Sequence, residues 1–199
     1  MPRKAEQSSA ETKEAIKHAF MDLYRKKNID RITIAELSRA ANVNRSTFYY
    51  YFEDIYDLLA QVEQDFLYTV QEILPPIITS LLNRNYEEQL TAITDFFHRY
   101  NKQYLLFLVE KPNPKITQAV KTHAQKYALS IIGLDFNELT LQQKLNIEYI
   151  ANGQLGMIGW WLANGQKYSI EELSQLMFRL NMEGPFPTLF STVKKEESV

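Results

Sequence analysis

Apolar side chains recur along the first third of the chain at the spacing of one face of an α-helix. This spacing predicts a first helix over about 10–27, with an apolar stripe of Ile16, Ala19, Phe20, Leu23 and Tyr24. Two short helices are predicted next, one from Thr33 and one after Asn44, followed by a fourth from near Asp54. The fourth should end or kink at Pro75-Pro76, because proline lacks the amide donor of a helix interior.

The rest of the chain continues the helical pattern. Helices are predicted over 86–110, 116–132, 141–163 and 170–180, of which 141–163 is the most apolar. No useful stretch alternates apolar and polar residues as a strand does. All six glycines lie beyond residue 132, so tight hairpins are hard to build before that point. The chain is therefore predicted to be all-α.

Helix starts are marked by pairs of residues with the form of a capping box. In this motif a hydroxyl and a carboxylate or amide three residues later satisfy each other's backbone amides. The pairs are Ser8 with Glu11, Thr33 with Glu36, Thr140 with Gln143 and Ser169 with Glu172.

Composition limits the kinds of protein that this chain can be. It has 199 residues, 45% of them hydrophobic, which suits one large domain or two small ones and argues against a disordered chain. It has no cysteine, so disulfides, thiolate nucleophiles and cysteine-based zinc sites are excluded. The formal net charge is −2, but the charges are unevenly distributed. Residues 1–50 hold 10 Lys and Arg against 6 Asp and Glu, so this segment is basic. The rest of the chain holds 12 of the 22 basic and 18 of the 24 acidic residues, so it is acidic. A basic N-terminal part beside an acidic remainder suggests two separate tasks.

Neither a secretory signal nor a membrane span is predicted. Residues 1–4, Met-Pro-Arg-Lys, lead into a polar stretch without an apolar core. The longest uncharged run, 149–166, contains the amides of Asn152, Gln154, Asn164 and Gln166, so a buried helix is favoured over a membrane span. We therefore expect a soluble, cytoplasmic protein with no membrane partner.

Two short helices in the basic part of the chain suggest a helix-turn-helix. Thr33 would cap the first helix, and Asn42 suits the left-handed position of the turn, which Asn tolerates better than most residues. Val43 would fill the space between the two helices, and Asn44 would cap the second, which would be the recognition helix.

The predicted recognition helix carries side chains suited to DNA. Arg45 at its start could reach guanine O6 and N7 in the major groove, and nearby hydroxyls could bind phosphate oxygens. The alternative is that the run Tyr49-Tyr50-Tyr51-Phe52 forms the core of an ordinary bundle, but consecutive helical residues cannot all face one core. The predicted DNA-binding residues are Thr33, Asn44, Arg45, Ser46, Thr47, Tyr49, Tyr50 and Tyr51.

The segment 33–52, TIAELSRAANVNRSTFYYYF, resembles the DNA-binding signature of TetR-type transcriptional regulators. The resemblance covers about Ala10 to Leu59. It implies a three-helix DNA-binding domain over 8–54, a helical regulatory and dimerisation domain over 55–184 and a tail over 185–199. It also implies a homodimer that binds double-stranded DNA at a pseudo-palindromic operator, as a repressor more commonly than as an activator, and no enzyme activity.

The sequence departs from the family pattern at three positions. Asn42 replaces the usual turn glycine, and Ser46 replaces the glycine early in the recognition helix. Ile55 stands where the family commonly has a lysine that touches phosphate, so that contact is not expected here. Loss of one phosphate contact should reduce by about 0.9 the steepness with which the logarithm of the DNA-binding constant falls against the logarithm of the salt concentration.

A second resemblance, over 150–165, is to a C-terminal segment of one TetR subgroup and implies a dimer built from the last two long helices. Glycines at every third position remove side chains from one helix face, which lets another helix approach closely. The alternative is a contact within the same chain. The predicted interface residues are Gly153, Gly156, Ile158, Gly159, Trp160, Leu173 and Leu176.

The middle helices are rich in aromatic rings, and in the family this region encloses a small-molecule pocket. The candidate pocket residues are Phe96, Phe97, Tyr100, Tyr104, Phe107 and Tyr127, although rings at helical spacing are also typical of a core. Binding of an unidentified effector would shift the population of bundle arrangements, and the fourth helix would transmit the change to the recognition helices.

An enzyme, a metal sensor and a plain interaction module are the competing interpretations. His18, His98 and His123 stand in no HExxH motif, and neither paired catalytic carboxylates nor a glycine-rich phosphate loop accompanies them. No catalytic residue and no cofactor are therefore predicted. His98 and His123 could join Asp95 or Glu110 around a metal, but a lone helix histidine is more often structural, so no metal site is predicted either.

Overall fold

The computed structural model describes residues 2–99, 107, 110–164 and 167–184, and this part of the chain contains eight α-helices and no strand. The helices are α1 (Pro2–Lys26), α2 (Ile34–Ala40), α3 (Arg45–Tyr51), α4 (Ile55–Leu82), α5 (Tyr86–Arg99), α6 (Pro114–Ile132), α7 (Leu141–Ala163) and α8 (Ile170–Glu183). Short 3₁₀ turns lie at Ile29–Arg31 and Phe136–Glu138. The prediction of an all-α chain is confirmed.

Three of the four predicted helix starts are observed. The Thr33 hydroxyl accepts a hydrogen bond from the backbone amide of Glu36, and complete capping boxes form at Thr140 and Ser169. The start predicted at Ser8 is wrong, because α1 begins at Pro2 and passes through that position. Proline is favoured in the first turn of a helix, where its missing amide costs nothing.

Of the two outcomes predicted at Pro75-Pro76, an end of the helix is wrong, since α4 continues to Leu82, and a kink stays a prediction. Proline has a helical φ and removes a backbone donor without forbidding the helix. Beyond the two prolines, Ser80 is fully buried, so packing favours continuation of the helix. The two prolines leave the carbonyls of Gln71 and Glu72 without their usual amide partners four residues on.

The chain divides into two compact units, Met1–Tyr68 and Thr69–Val199, so this division lies inside α4, and the domain boundary at 54/55 stays a prediction. The first half of α4 belongs to the first unit because it buries apolar side chains there. The ammonium of Lys17 on α1 also lies 2.6 Å from Asp65 on α4. The buried core of this unit includes Ile16, Phe20, Leu37, Phe48, Phe52, Leu58, Val62 and Phe66.

Because the division lies after residue 68, the first unit includes an acidic segment and is not basic overall. Residues 51–68 hold five acidic and no basic residues, so the first unit carries 10 Lys and Arg against 11 Asp and Glu. The contrast between a basic N-terminal part and an acidic remainder therefore does not describe the two units. Any attraction of this unit to DNA must come from the local placement of its charges.

In the second unit, α5, α7 and α8 share a core of Trp161, Leu173 and Met177. The indole nitrogen of Trp161 donates to the carbonyl of Tyr168 at 2.8 Å, which joins the end of α7 to the loop before α8. The rings of Tyr86 and Phe178 lie 5.5 Å apart and connect α5 to α8. These contacts fix which faces of α7 and α8 remain exposed.

A polar contact connects α6 to α7. The ammonium of Lys121 lies 3.0 Å from the carboxylate of Glu148, which also accepts from the amide of Asn152 at 2.9 Å. The hydrogen bond from Lys121 is the main reason that the pKa of Glu148 is lowered. At the other end of α6, Gly133 has a φ of 69°, a left-handed conformation in which glycine is not strained.

Candidate nucleic-acid interface

The turn between α2 and α3 has the geometry that the sequence predicted. Asn42 has a φ of 55°, in the left-handed region. The amide of Val43 donates to the carbonyl of Ser38 at 2.9 Å, which closes the turn, and the Val43 side chain is half-buried. Asn44 occupies the N-cap of α3, but the predicted side-chain cap is absent: its carbonyl accepts from the amides of Thr47 and Phe48 instead.

α3 presents one buried and one exposed side. Phe48 is fully buried, whereas Tyr49 is 58% and Tyr50 78% exposed, so the consecutive aromatic residues do face different directions. Arg45 and Ser46 are exposed at the start of the helix. Exposed aromatic and basic side chains on a short helix after a tight turn provide the surface that a recognition helix needs.

Tyr51 differs from its neighbours. It is half-buried, its hydroxyl lies 2.8 Å from that of Ser9 on α1, and its ring lies 4.8 Å from that of Tyr50. Tyr51 therefore ties the end of α3 to α1 in addition to any contact with phosphate. Thr47 is half-buried, and the Thr33 hydroxyl caps α2. DNA contacts by these three residues stay predictions.

The start of α4 is acidic, a feature that the sequence reasoning missed. Ile55 is only 8% exposed and faces the core. The carboxylate of Asp54 accepts from the amides of Tyr56 and Asp57, each at 2.8 Å. The Tyr56 hydroxyl donates to Asp30 at 2.6 Å, and this bond is the main reason that the pKa of Tyr56 is raised. Carboxylates that occupy a helix start repel a phosphate there.

The candidate pocket residues do not all lie together. Phe96 and Tyr127 line a cavity of about 760 Å³ between α4, α5 and α6. Phe97 packs in the core instead, with its ring centroid 5.1 Å from that of Trp161. Phe107 is 1% exposed. Tyr100 and Tyr104 lie outside the residues that the structure describes.

The candidate dimer residues also separate into two groups. Leu173 is buried within the chain and Ile158 packs against the same core, so these two belong to the interior between α7 and α8. Trp160 and Leu176 are 57% and 42% exposed. Gly159 is half-buried.

Gly153 and Gly156 distinguish between a contact within the chain and a contact with another molecule. A methyl group added at either glycine would meet no atom within 4 Å. No helix of the described chain therefore requires these residues to be small.

The exposed face of α7 continues beyond the glycines. Leu141, Leu145 and Tyr149 are 74%, 59% and 62% exposed. Together with Gly153, Gly156 and Trp160 they recur every three or four residues along one helix face. The sequence reasoning missed the first three, although this i, i+4 spacing could have revealed them.

Among the described residues, no group of three or more His, Cys, Asp or Glu side chains is placed to hold a metal ion. The side chain of His98 lies outside this set. No helix in the described ranges combines the length and apolar character needed to cross a membrane.

Comparisons with known families identify the chain. Residues 84–183 match a TetR C-terminal model described as transcriptional regulator C-terminal region, and residues 16–62 match the model of bacterial regulatory proteins of the tetR family. The chain belongs to the TetR family. This TetR-family protein is a DNA-binding transcriptional regulator and not an enzyme, as the resemblance of its recognition helix predicted.

Solved structures of bacterial regulators share the fold. A TetR-family transcriptional regulator from Streptomyces coelicolor is 17% identical with a TM-score of 0.61, over 85% of this chain and 80% of that one. The fatty acid degradation regulator FadR from Bacillus halodurans is 15% identical with a TM-score of 0.60, over 87% and 95%. At sequence identities this low, the similarity shows a shared fold and does not indicate the ligand. A comparison with curated proteins gives no match.

Proposed function

We propose that this TetR-family regulator is a ligand-responsive repressor that acts in the cytoplasm as a homodimer on a pseudo-palindromic operator. The observation that carries the proposal is the exposed apolar face of α7, interrupted by two glycines with open space around them. A second copy of the chain would cover this face and place two recognition helices about one DNA turn, ~34 Å, apart.

The DNA contacts proposed for each subunit follow from exposure on α3. Arg45 is proposed to contact a base edge, because an exposed guanidinium at the start of a recognition helix can donate hydrogen bonds to both O6 and N7 of guanine. Tyr49, Tyr50 and Ser46 offer exposed hydroxyls for phosphate or sugar. The acidic start of α4 is proposed to lie clear of the phosphates, so contacts concentrate on α3 and the start of α2.

Pairing through α7 is supported by its apolar character. Apolar residues of α7 lie on more than one face, since Trp161 is buried whereas Leu141, Leu145 and Trp160 are exposed. One side packs against α8 through Trp161, and the other is the exposed face described above. A partner chain would remove that apolar area from water, which is the main driving force of association.

The ligand response is proposed to act through α4. This helix belongs to both units, since the division of the chain lies between Tyr68 and Thr69. Its second half lines the 760 Å³ cavity. A ligand that prefers one arrangement of that half would shift the population of DNA-competent dimers.

The proposal is tested by footprinting the purified full-length chain on genomic DNA and measuring transcription from the bound promoters with and without the protein. Protection of symmetric half-sites about one turn apart, with reduced transcription, supports a repressor dimer. Increased transcription on the same sites would favour an activator. Failure to bind any duplex at low salt in every ligand state would contradict DNA regulation altogether.

A further inference from the structure

The cavity between α4, α5 and α6 has an acidic wall. Four of its lining residues are carboxylic acids: Glu72 on α4, and Glu87, Glu88 and Asp95 on α5. None of the described residues that line it is Lys, Arg or His. Among these described lining residues the charged side chains are all carboxylates, which gives this wall a negative potential that attracts cations.

Backbone atoms add to this acceptor character. Pro75 and Pro76 line the cavity together with Glu72. Because Pro76 has no amide hydrogen, the carbonyl of Glu72 lacks its usual helical partner, as described above. Carbonyl oxygens without amide partners are hydrogen-bond acceptors, so this stretch of α4 favours a ligand that brings donors or positive charge.

The remaining wall is apolar and aromatic. Ile73, Phe96 and Tyr127 contribute apolar surface. The Tyr127 hydroxyl lies 3.2 Å from that of Thr79, which restrains its ring at the wall. Aromatic faces attract organic cations as well as apolar groups. The cavity volume of about 760 Å³ suits a ligand of drug size.

We propose that the effector of this regulator is an organic cation with an apolar or aromatic body, bound in the cavity between α4, α5 and α6. This rests on the proposed ligand response and specifies its chemistry. The carboxylates bind the positive charge, and the rings and Ile73 contact the apolar body. A fatty acid or another organic anion would be repelled by the same carboxylates.

The test uses two probes of nearly equal size and shape but opposite charge, tetraphenylphosphonium and tetraphenylborate. Calorimetry on the full-length chain should show saturable binding of the phosphonium that is about tenfold or more tighter than that of the borate. The variant Glu72→Gln/Glu88→Gln should weaken phosphonium binding about two- to fivefold per carboxylate removed, the range of exposed charge pairs. The control Glu138→Gln removes an exposed carboxylate away from the cavity and should leave binding unchanged.

Each outcome has a defined meaning. Equal affinity for the two probes, no saturable phosphonium binding, or an unchanged affinity in the double variant would overturn the cation proposal. A mobility-shift assay with the footprinted operator is read separately. Phosphonium binding that leaves the DNA affinity unaltered would keep the cation site and contradict the ligand response, whereas absence of DNA binding would contradict the proposed function alone.

Discussion

The left-handed backbone of Asn42 joins α2 to α3 and determines the direction in which the recognition helix leaves the turn. Asparagine is one of the few residues other than glycine that adopt this conformation at low cost. The substitution of the family's glycine by Asn42 is therefore compatible with the motif. A β-branched residue there would strain the turn and displace Arg45 and Ser46.

Replacement of Arg45 by alanine should remove a base contact. We expect Arg45→Ala to lose about 1–3 kcal/mol of discrimination at one base pair of each half-site and to relax specificity there. The measurement is a competition assay in which each operator base pair is changed in turn. Lys115→Ala removes one positive charge from an exposed position in the second unit and should leave the profile unchanged. A uniform loss at all positions would instead assign Arg45 to phosphate.

At the scale of helices, an ion pair between a buried lysine and a partly exposed aspartate holds α1 against α4. Lys17 is 8% exposed, and its ammonium lies 2.6 Å from Asp65 and 2.7 Å from Glu14. Burial alone would lower the pKa of Lys17, but the hydrogen bonds to Asp65 and Glu14 outweigh it and raise the pKa. The contribution of the pair is therefore complete at neutral pH and is lost as the pH rises through the folded-state pKa.

Removing one carboxylate at a time distinguishes the contributions to stability of the two contacts made by Lys17. Asp65→Ala should lower the free energy of unfolding by about 1–3 kcal/mol, because it leaves a buried donor with one partner fewer. Glu14→Ala, which removes an exposed i,i+3 partner, should cost less than about 1 kcal/mol. Urea denaturation at neutral pH compares the two variants. Equal losses in the free energy of unfolding would show that the contact of Lys17 with Asp65 contributes no more to stability than its contact with Glu14.

The contact between α6 and α7 should respond to acid. The pKa of Glu148 is lowered by Lys121, so its contribution to stability is present above the unfolded-state pKa and disappears as the pH falls through the folded-state value. Thermal unfolding should show a Glu148→Gln variant melting below the native chain at neutral pH, with the difference vanishing at acidic pH. Glu138→Gln should show no such convergence. A constant difference across the pH range would contradict the ion pair.

At the scale of the whole molecule, the open space at Gly156 allows a substitution there to affect dimerisation without disturbing the fold of the single chain. Gly156→Leu meets no atom of its own chain near the added Cβ, and it raises helix propensity, so the single chain should remain folded. The larger side chain should block a close approach by a second α7. We expect sedimentation velocity to show a monomer and operator affinity to fall.

The matched control for this prediction is Gly156→Ala. It brings a similar gain in helix propensity but adds only a methyl group, so dimerisation should be weakened less than by leucine. If the leucine variant sediments as a dimer, α7 does not pair at this glycine. A leucine variant with altered circular dichroism would require Gly153→Leu as the second probe of the same face.

The sequence by itself determined the class of fold, three of the observed helix starts and the DNA-reading motif. These features depend on short-range physics: helical periodicity, hydroxyls that cap amides three residues away, and a left-handed turn at Asn42. Such signals act within a few residues, and the whole recognition helix could be predicted from them. Its identification also used the aromatic run ending at Phe52.

The tertiary structure decided what depends on residues distant in the chain. Packing beyond the prolines lets α4 reach Leu82, and the contact between Ser9 and Tyr51 spans 42 residues. The placement of Phe97 in the core and Phe96 at the cavity also follows from how helices meet, since adjacent residues differ in direction by about 100°. The acidic cavity wall and the exposed face of α7 arise in the same way, because periodicity shows that a face exists but not which neighbour covers it.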